Sequence, residues 1–383
     1  MDPSRANQSR AHHVSPSCAN HLARLVLIDG NAILHRAFHA LPPLTDPDGH
    51  VVNAVYGFTT MLIRIINDLK PTNIAVCFDR PKPTFRKKLY EGYQAKRPEM
   101  DESLVPQIQM VHELLEAFHI PMYEMDGFEA DDVIGTLVKR VSDEHLIKEP
   151  RDKHVMSCAH HVPPSRVHHV SSSCAHPVDQ VTIVTGDKDL LQLVDSNTNV
   201  YMPTKGLSEA KLYGKKETKE KMGVDPVQIP DFKALAGDQS DNYPGIEGIG
   251  PKTAVMLLEK TKSIDRLYQQ LKTGDHLGLS DTLLTKLTEG EESARLSHQL
   301  ATIKTDVPIA FHLKDTKLPE IPSKEAITFL EKLNFKSLVK RLQGGPSTSL
   351  RVNKGTKEQS DKATKEQGKK ANNKNNSNQL SLV

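Results

Sequence analysis

Three short apolar runs in the first half of the chain, Leu25–Ile28, Ile74–Phe78 and Val181–Val184, have the length and continuity of strands buried on both faces. Between and beside them, apolar residues recur every three or four positions. Val55, Phe58, Leu62, Ile65 and Leu69 form one stripe, and Leu104, Ile108, Val111, Leu115 and Phe118 a second. Val133, Ile134, Leu137, Val138 and Val141 form a third. That spacing gathers each set on one face of a helix. Strands alternating with helices predict an α/β fold built on a parallel sheet. From about Gly206 the strand-like runs thin out, and helical patterns continue to about Leu342. The expected division is therefore an α/β domain over 24–206 and a smaller α-helical domain over 207–342.

Polar segments flank this pattern and interrupt it. Residues 1–23 are rich in Ser, His, Asn and Arg, with Asp2 the only acid. They read as unstructured, and the composition suits an organellar transit peptide, for mitochondrion or chloroplast, as well as a plain disordered terminus. Residues 343–383 form a Lys-, Asn-, Ser- and Gln-rich tail expected to be disordered, either solubilising or adding weak, salt-sensitive DNA affinity. Within the α/β part, residues of about 146–179 fit badly. Their HHVSSSCAH (His168–His176) nearly repeats HHVSPSCAN (His12–Asn20), and they read as a disordered surface insertion. Cys158, His160, Cys174 and His176 are conceivable zinc ligands, but Cys-x-His pairs are not a common structural-zinc spacing.

Composition excludes some classes and leaves others open. The chain is 37% apolar and 26% charged, which suits a soluble globular protein with some disordered length. No apolar run approaches the roughly 18 residues that a membrane span needs, so no membrane role is expected. Cys18, Cys77, Cys158 and Cys174 show neither a CxxC pair nor a disulfide framework, which points to a reducing compartment, an organelle or otherwise the soluble interior of the cell. The net charge of +2 hides an uneven distribution. Arg80, Lys82, Arg86, Lys87, Lys88, Lys96 and Arg97 crowd residues 80–100, whereas acids gather singly at the ends of apolar runs. A basic surface around an acidic focus suits a metal-using enzyme with a polyanionic substrate.

Each of the three strand-like runs leads into aspartate. Leu25–Ile28 meets Asp29, Ile74–Phe78 ends at Asp79, and Val181–Thr185 reaches Asp187 and Asp189 through Gly186. A parallel sheet would line these carboxylates along one edge, at the carboxyl ends of its strands, where open α/β folds build their sites. One aspartate after a strand would say only that a helix is capped; three strands ending alike point to a site. Glu129, Asp131 and Asp132 open the third helical stripe, and their charges gain only about 0.3–1 kcal/mol each from the helix dipole. Without cations such neighbours would raise one another's pKa values. Divalent ions resolve the conflict, and all-oxygen ligands suit Mg²⁺ or Mn²⁺ over zinc. A further pair, Asp238 and Asp241, lies in GDQSDNYPG. Two ions about 3.5–4 Å apart would activate water and stabilise the leaving oxygen of a phosphodiester with no protein nucleophile.

Directly after this pair comes Gly245-Ile-Glu-Gly248-Ile-Gly250-Pro-Lys252-Thr253-Ala254. Its glycines let backbone N–H groups approach a phosphate at the start of a helix, with Lys252 adding a charged contact. Beside the acidic cluster it reads as a helix-hairpin-helix-like clamp on duplex DNA.

From about Leu25 to Leu342 the chain resembles the 5′→3′ exonuclease domain of bacterial DNA polymerase I, a relative of flap endonucleases. The matching blocks, in the family's order, are LVLIDGNAILHRAFHALPPLT, AVCFDRPKPTFR, GFEADDVIGTL, TGDKDLLQLV, ALAGDQSDNYPGIEGIGPKTA and LATIKTD. The resemblance implies a PIN- or resolvase-like parallel-sheet nuclease domain, a helical arch and a small helix-three-turn-helix (SAM-fold-like) domain. It implies a stand-alone form that works beside a separate DNA polymerase, as a monomer, on DNA with 5′ flaps, 5′ ends or RNA-primer junctions. It also implies a site for two Mg²⁺ ions, with Mn²⁺ as substitute. Asp29, Asp79, Glu129 and Asp131 would hold the ion nearest the attacking water, and Asp132, Asp187, Asp189, Asp238 and Asp241 would hold or tune the other. Arg36, Lys82, Arg86 and Arg97 match positions that grip the scissile phosphate or line the arch, with Lys96 nearby. Gln94 departs from the family, which usually has lysine there, and the His-rich insertion is foreign to it. A catalytically impaired DNA-binding protein of the same fold is the alternative.

Overall fold

The structure, a computed structural model, describes residues 23–146, 178–206 and 209–344. The readings made of the N-terminal segment, the His-rich insertion with its cysteines, and the basic tail fall outside these residues. Contacts divide the chain after Val339: Met1–Val339 forms one unit and Lys340–Val383 another, of which residues 340–344 are described. The sheet, the helices packed on it and the site belong to the first.

The apolar run at Leu25 becomes β1 (Arg24–Asp29), buried from Leu25 onward. It passes into α1 (Gly30–Ala40), whose N-cap is Asp29: the carboxylate accepts the Ala32 N–H at 2.9 Å. Gly30 is obligatory in this turn, because a Cβ there would lie 2.3 Å from the Phe78 ring. The first stripe forms α2 (Asn53–Leu69), followed by β2 (Asn73–Cys77). A short α3 (Phe85–Leu89) and the second stripe, α4 (Val105–Ala117), lead to the two-residue β3 (Met122–Tyr123). The third stripe forms α5 (Ala130–Leu146), and the next apolar run forms β4 (Gln180–Val184). Two further strands complete the sheet, β5 (Thr198–Lys205) and β6 (Glu209–Tyr213), neither of them, like β3, expected from the pattern.

The six-stranded sheet has the order β3-β2-β1-β4-β5-β6, parallel throughout except for the antiparallel last pair. β1, β2 and β4 are its neighbouring central strands, as their unbroken apolar runs require. The sheet therefore extends past residue 206, where the strand-like runs were expected to thin out.

Helices fill the rest: α6 (Lys215–Met222), α7 (Ile229–Ala236), α8 (Pro251–Thr261), α9 (Ile264–Lys272), α10 (Asp281–Glu289), α11 (Glu291–Ala301), α12 (Lys324–Lys332) and α13 (Lys336–Leu342), which crosses the division at 339. One apolar cluster runs from Leu25 and Leu27 through α5 and β4 to Ile246, Leu257 and Phe311. The helical part thus shares a core with the sheet rather than closing on its own. The chain also returns to the sheet beyond α11, where Leu318 N–H donates to Thr72 O at 2.8 Å and the Asn73 side chain donates to Leu313 O at 3.0 Å.

Candidate metal centre

Strand register sets the site. β1 pairs with β2 and with β4 so that Ile28 lies opposite Val76 on one side and Val184 on the other. The residues that follow leave the sheet at the same edge: Asp29 from β1, Asp79 from β2, and Asp187 and Asp189 from β4. The N-terminus of α5 is tied to that edge, because Ala130 N–H donates to Asp79 Oδ1 at 2.7 Å. Glu129 and Asp131 come with it. α7 delivers Asp238 and Asp241 through the loop that follows it, closed by paired hydrogen bonds between the Asp238 and Tyr243 backbones.

The carboxylates meet. Asp29 is 4% exposed, and burial, with the charges of Asp79 and Asp187, pushes its carboxyl up to about 7 against hydrogen bonds from Ala32 and Thr185. Asp131 is pushed well above the ordinary range by burial and then by Asp187, Asp29, Glu129 and Asp189. Burial raises Asp189 to about 7 even with Lys233 opposing it, and burial raises Asp241 too. Carboxylates from five separate segments therefore repel one another across one site, as a shared cation would require. Three of these acids could hold an ion together, Asp189, Asp238 and Asp241, whose carboxylates place one oxygen each within 4.8 Å of the others. The donors are all oxygen, the chemistry of hard divalent ions. Among the described residues, Asp29, Asp79, Glu129 and Asp131, expected nearest the attacking water, form no group as tight as this one.

Two expected site residues are employed elsewhere. Arg86 is 3% exposed and Asp132 fully buried, and the two pair through both terminal guanidinium nitrogens at 2.7 and 2.8 Å. Asp132 also accepts the Glu129 and Lys304 N–H groups at 3.1 and 2.8 Å, while Arg86 donates to Leu300 O and Thr302 O at 2.8 and 3.2 Å. Asp132 thus has no oxygen to offer an ion, and Arg86 no face to offer a phosphate. Together they lock α3, the start of α5 and the segment after α11. Glu129 is also heavily engaged, accepting from Thr84 Oγ1 at 3.0 Å and Tyr93 Oη at 3.1 Å, with Arg86 Nη1 at 3.3 Å.

The basic residues surround the acids without all being available. Arg97 donates to Asp241 Oδ1 at 2.7 Å, and Gln94 reaches the same oxygen at 3.4 Å from a backbone with φ of 56°. Lys82, 64% exposed, pairs with Asp126 at 2.5 Å. Arg36 donates through Nε to Gly206 O at 3.0 Å. Lys96 is exposed.

In the glycine motif, Ile246 and Ile249 are buried anchors while Glu247, Gly248, Gly250 and Lys252 are exposed. Gly245 (φ 64°) packs against Gly237, where a Cβ would lie 2.2 Å from the Gly237 nitrogen. Gly250 caps α8, whose first-turn N–H groups around Lys252 and Thr253 lack intrahelical acceptors.

Sequence reasoning missed three contributors. Thr185 Oγ1 donates to Asp29 Oδ2 at 2.7 Å and accepts the Asp187 N–H at 2.9 Å, spacing two carboxylates. Asn31 Oδ1 accepts the Asp79 N–H at 3.0 Å. Lys233 on α7 pairs with both Asp189 and Asp238. Lys233 carried the one usable signal: a lysine five residues before an acid of the cluster, on a helix that ends at that acid's loop.

Residues 24–162 match the model of the 5′-3′ exonuclease N-terminal resolvase-like domain, and residues 224–324 the model of the 5′-3′ exonuclease C-terminal SAM fold. The chain is 38% identical over 321 residues to DNA polymerase I of Caldicellulosiruptor bescii, covering 83% of this chain and 33% of the relative. It is 35% identical over 319 residues to DNA polymerase I of Bacillus subtilis, covering 83% and 32%. The chain thus spans about a third of the length of the curated relatives it matches. In fold it is similar to the T5 5′-exonuclease solved with divalent zinc ions, with a TM-score of 0.55 and 18% identity, covering 84% of this chain and 98% of that one. With both domain models matched in order along one chain, over the segments that carry Asp29, Asp79, Glu129, Asp131, Asp238 and Asp241 and the glycine loop beside them, the protein belongs to the 5′-3′ exonuclease family.

Proposed function

We propose that this chain is a divalent-metal-dependent, structure-specific 5′→3′ nuclease that removes 5′ flaps, 5′ ends or RNA primers from DNA during replication and repair. The observation that carries the reading is the convergence of acids from β1, β2, β4, the start of α5 and the loop after α7 on one sheet edge, at repulsive distance. Asp189, Asp238 and Asp241 would hold one ion. Asp29, Asp79 and Asp131, with Glu129 and Asp187 beside them, would hold the other, Mg²⁺ being the natural ion and Mn²⁺ its substitute. Bound there, the ions would supply an activated water and charge for the leaving oxygen. The protein's own share is positioning. Thr185 and Asn31 fix the strand-end acids, and the Arg86–Asp132 pair fixes the helix that carries Glu129 and Asp131. The Gly245–Lys252 turn and the α8 N-terminus suit a phosphate backbone gripped without reading its bases.

The test is cleavage of an end-labelled 5′-flap duplex, a blunt duplex and a single strand, with Mg²⁺ or with a chelator. The reading expects cutting at the flap junction with Mg²⁺, little cutting of the single strand, and none with chelator. Cutting in chelator, or no preference for the junction, would contradict it. A second reading, a DNA-binding protein with impaired chemistry, draws support from Gln94, whose neutral amide reaches Asp241 where a lysine was expected. Tight flap binding without cutting in the same assay would favour it.

A further inference from the structure

Lys233 is 7% exposed and its ammonium donates to Asp189 Oδ1 and Asp238 Oδ2, two members of the tight carboxylate trio. An ammonium and a divalent ion make incompatible demands on that space. An ion held by this trio would draw the same carboxylates in to about 2.0–2.1 Å for Mg²⁺, and a lysine nitrogen already bonded to two of them competes for that space. A second buried group beside the cluster stacks its ring on Tyr93 but leaves its hydroxyl unpartnered. Tyr243 is 3% exposed, and its hydroxyl has no hydrogen-bond partner among the described residues. The Tyr243 backbone is paired with that of Asp238, so the ring stands beside the trio, and burial and the charges of Lys233, Asp189, Asp238 and Asp241 all act on its hydroxyl. An unsatisfied buried hydroxyl is costly in any fixed arrangement. It is explained if a donor reaches it in another state of the site.

We propose that Lys233 is a built-in counter-cation for the Asp189–Asp238–Asp241 group, displaced when a divalent ion binds there, and that the Tyr243 hydroxyl accepts the displaced ammonium. The proposal rests on the metal reading of the site and goes beyond it. The tethered charge offsets the repulsion within the trio and holds two of its carboxylates in place before any ion arrives. It also makes the ion at this trio the weaker-held of the two, because the apparent affinity is the intrinsic one multiplied by the small fraction of molecules whose lysine has moved away.

The test is Mn²⁺ binding to the full-length protein, read from the electron paramagnetic resonance signal of free Mn²⁺, without DNA and at mildly alkaline pH. In the wild type, two classes of site are expected, the second weaker. Lys233→Met should tighten the second class by roughly ten-fold or more, while Lys233→Arg, which keeps the charge, should leave it weak. Tyr243→Phe should weaken the second class when Lys233 is present and have no effect in the Lys233→Met background. A melting curve for each variant confirms that it folds. An unchanged or weaker second class in Lys233→Met would overturn the proposal, as would an equal effect of Tyr243→Phe in both backgrounds. Absence of any Mn²⁺ binding in the wild type would instead overturn the metal reading, and this proposal with it.

Discussion

Asp131 and Asp132 are neighbours in the chain with opposite employments. Asp132 is fully buried and bonded to Arg86, Glu129 N–H and Lys304 N–H. Asp132→Asn leaves a buried guanidinium short of its counter-charge, so the protein should lose about 3–5 kcal/mol in a denaturant titration, with any loss of cleavage following from misplacement of α5. Asp131 sits among four like charges. Asp131→Asn should therefore melt at the same temperature as the wild type or higher in chelator, since it relieves repulsion. The sequence does not separate the two. Both are acids in the first turn of one helix, and only the arrival of Arg86 from α3, 46 residues away, decides which is structural. Lys233 was little more legible, its spacing before Asp238 being the one signal, because its role appears only when its acidic partners are placed around it.

At the scale of elements, the reading succeeded where burial is complete and failed at edges. β1, β2 and β4 are central strands, and their continuous apolar runs have no other use. β5 begins Thr198-Asn199 and carries Pro203, and β6 is largely exposed, so neither shows a run or a clean alternation. β3 has two residues, too few to carry any period. The glycine turn was legible because its conformation demands the residue type. Gly245 has φ of 64° and would place a Cβ 2.2 Å from the Gly237 nitrogen. Gly245→Ala should cost at least about 1–3 kcal/mol and weaken duplex binding, measured by thermal melting and by fluorescence anisotropy with a flap substrate. Normal stability with normal binding would mean that the α7–α8 crossing is looser than described.

For the whole molecule, the acid edge couples stability to pH and to ions. The Asp29 and Asp189 carboxyls lie near 7 when folded, against an ordinary value of 3.8. Between those values the folded protein holds protons that the unfolded chain has released, so metal-free stability should fall as pH rises from about 4 to about 7. Saturating Mg²⁺ or Mn²⁺ should reverse the fall at the upper end, by roughly 2.7 kcal/mol per ion at a hundred-fold excess over its Kd. Melting curves across that range, with chelator and with metal, check both signs. The central claim, that converging acids hold ions which hydrolyse the DNA backbone, is tested most directly by one measurement. This is the single-turnover rate of 5′-flap cleavage in Mg²⁺ by Asp131→Asn relative to the wild type, at protein concentrations that saturate the flap. The account predicts a rate reduced to background with the flap still bound, and a wild-type rate in that variant would contradict it.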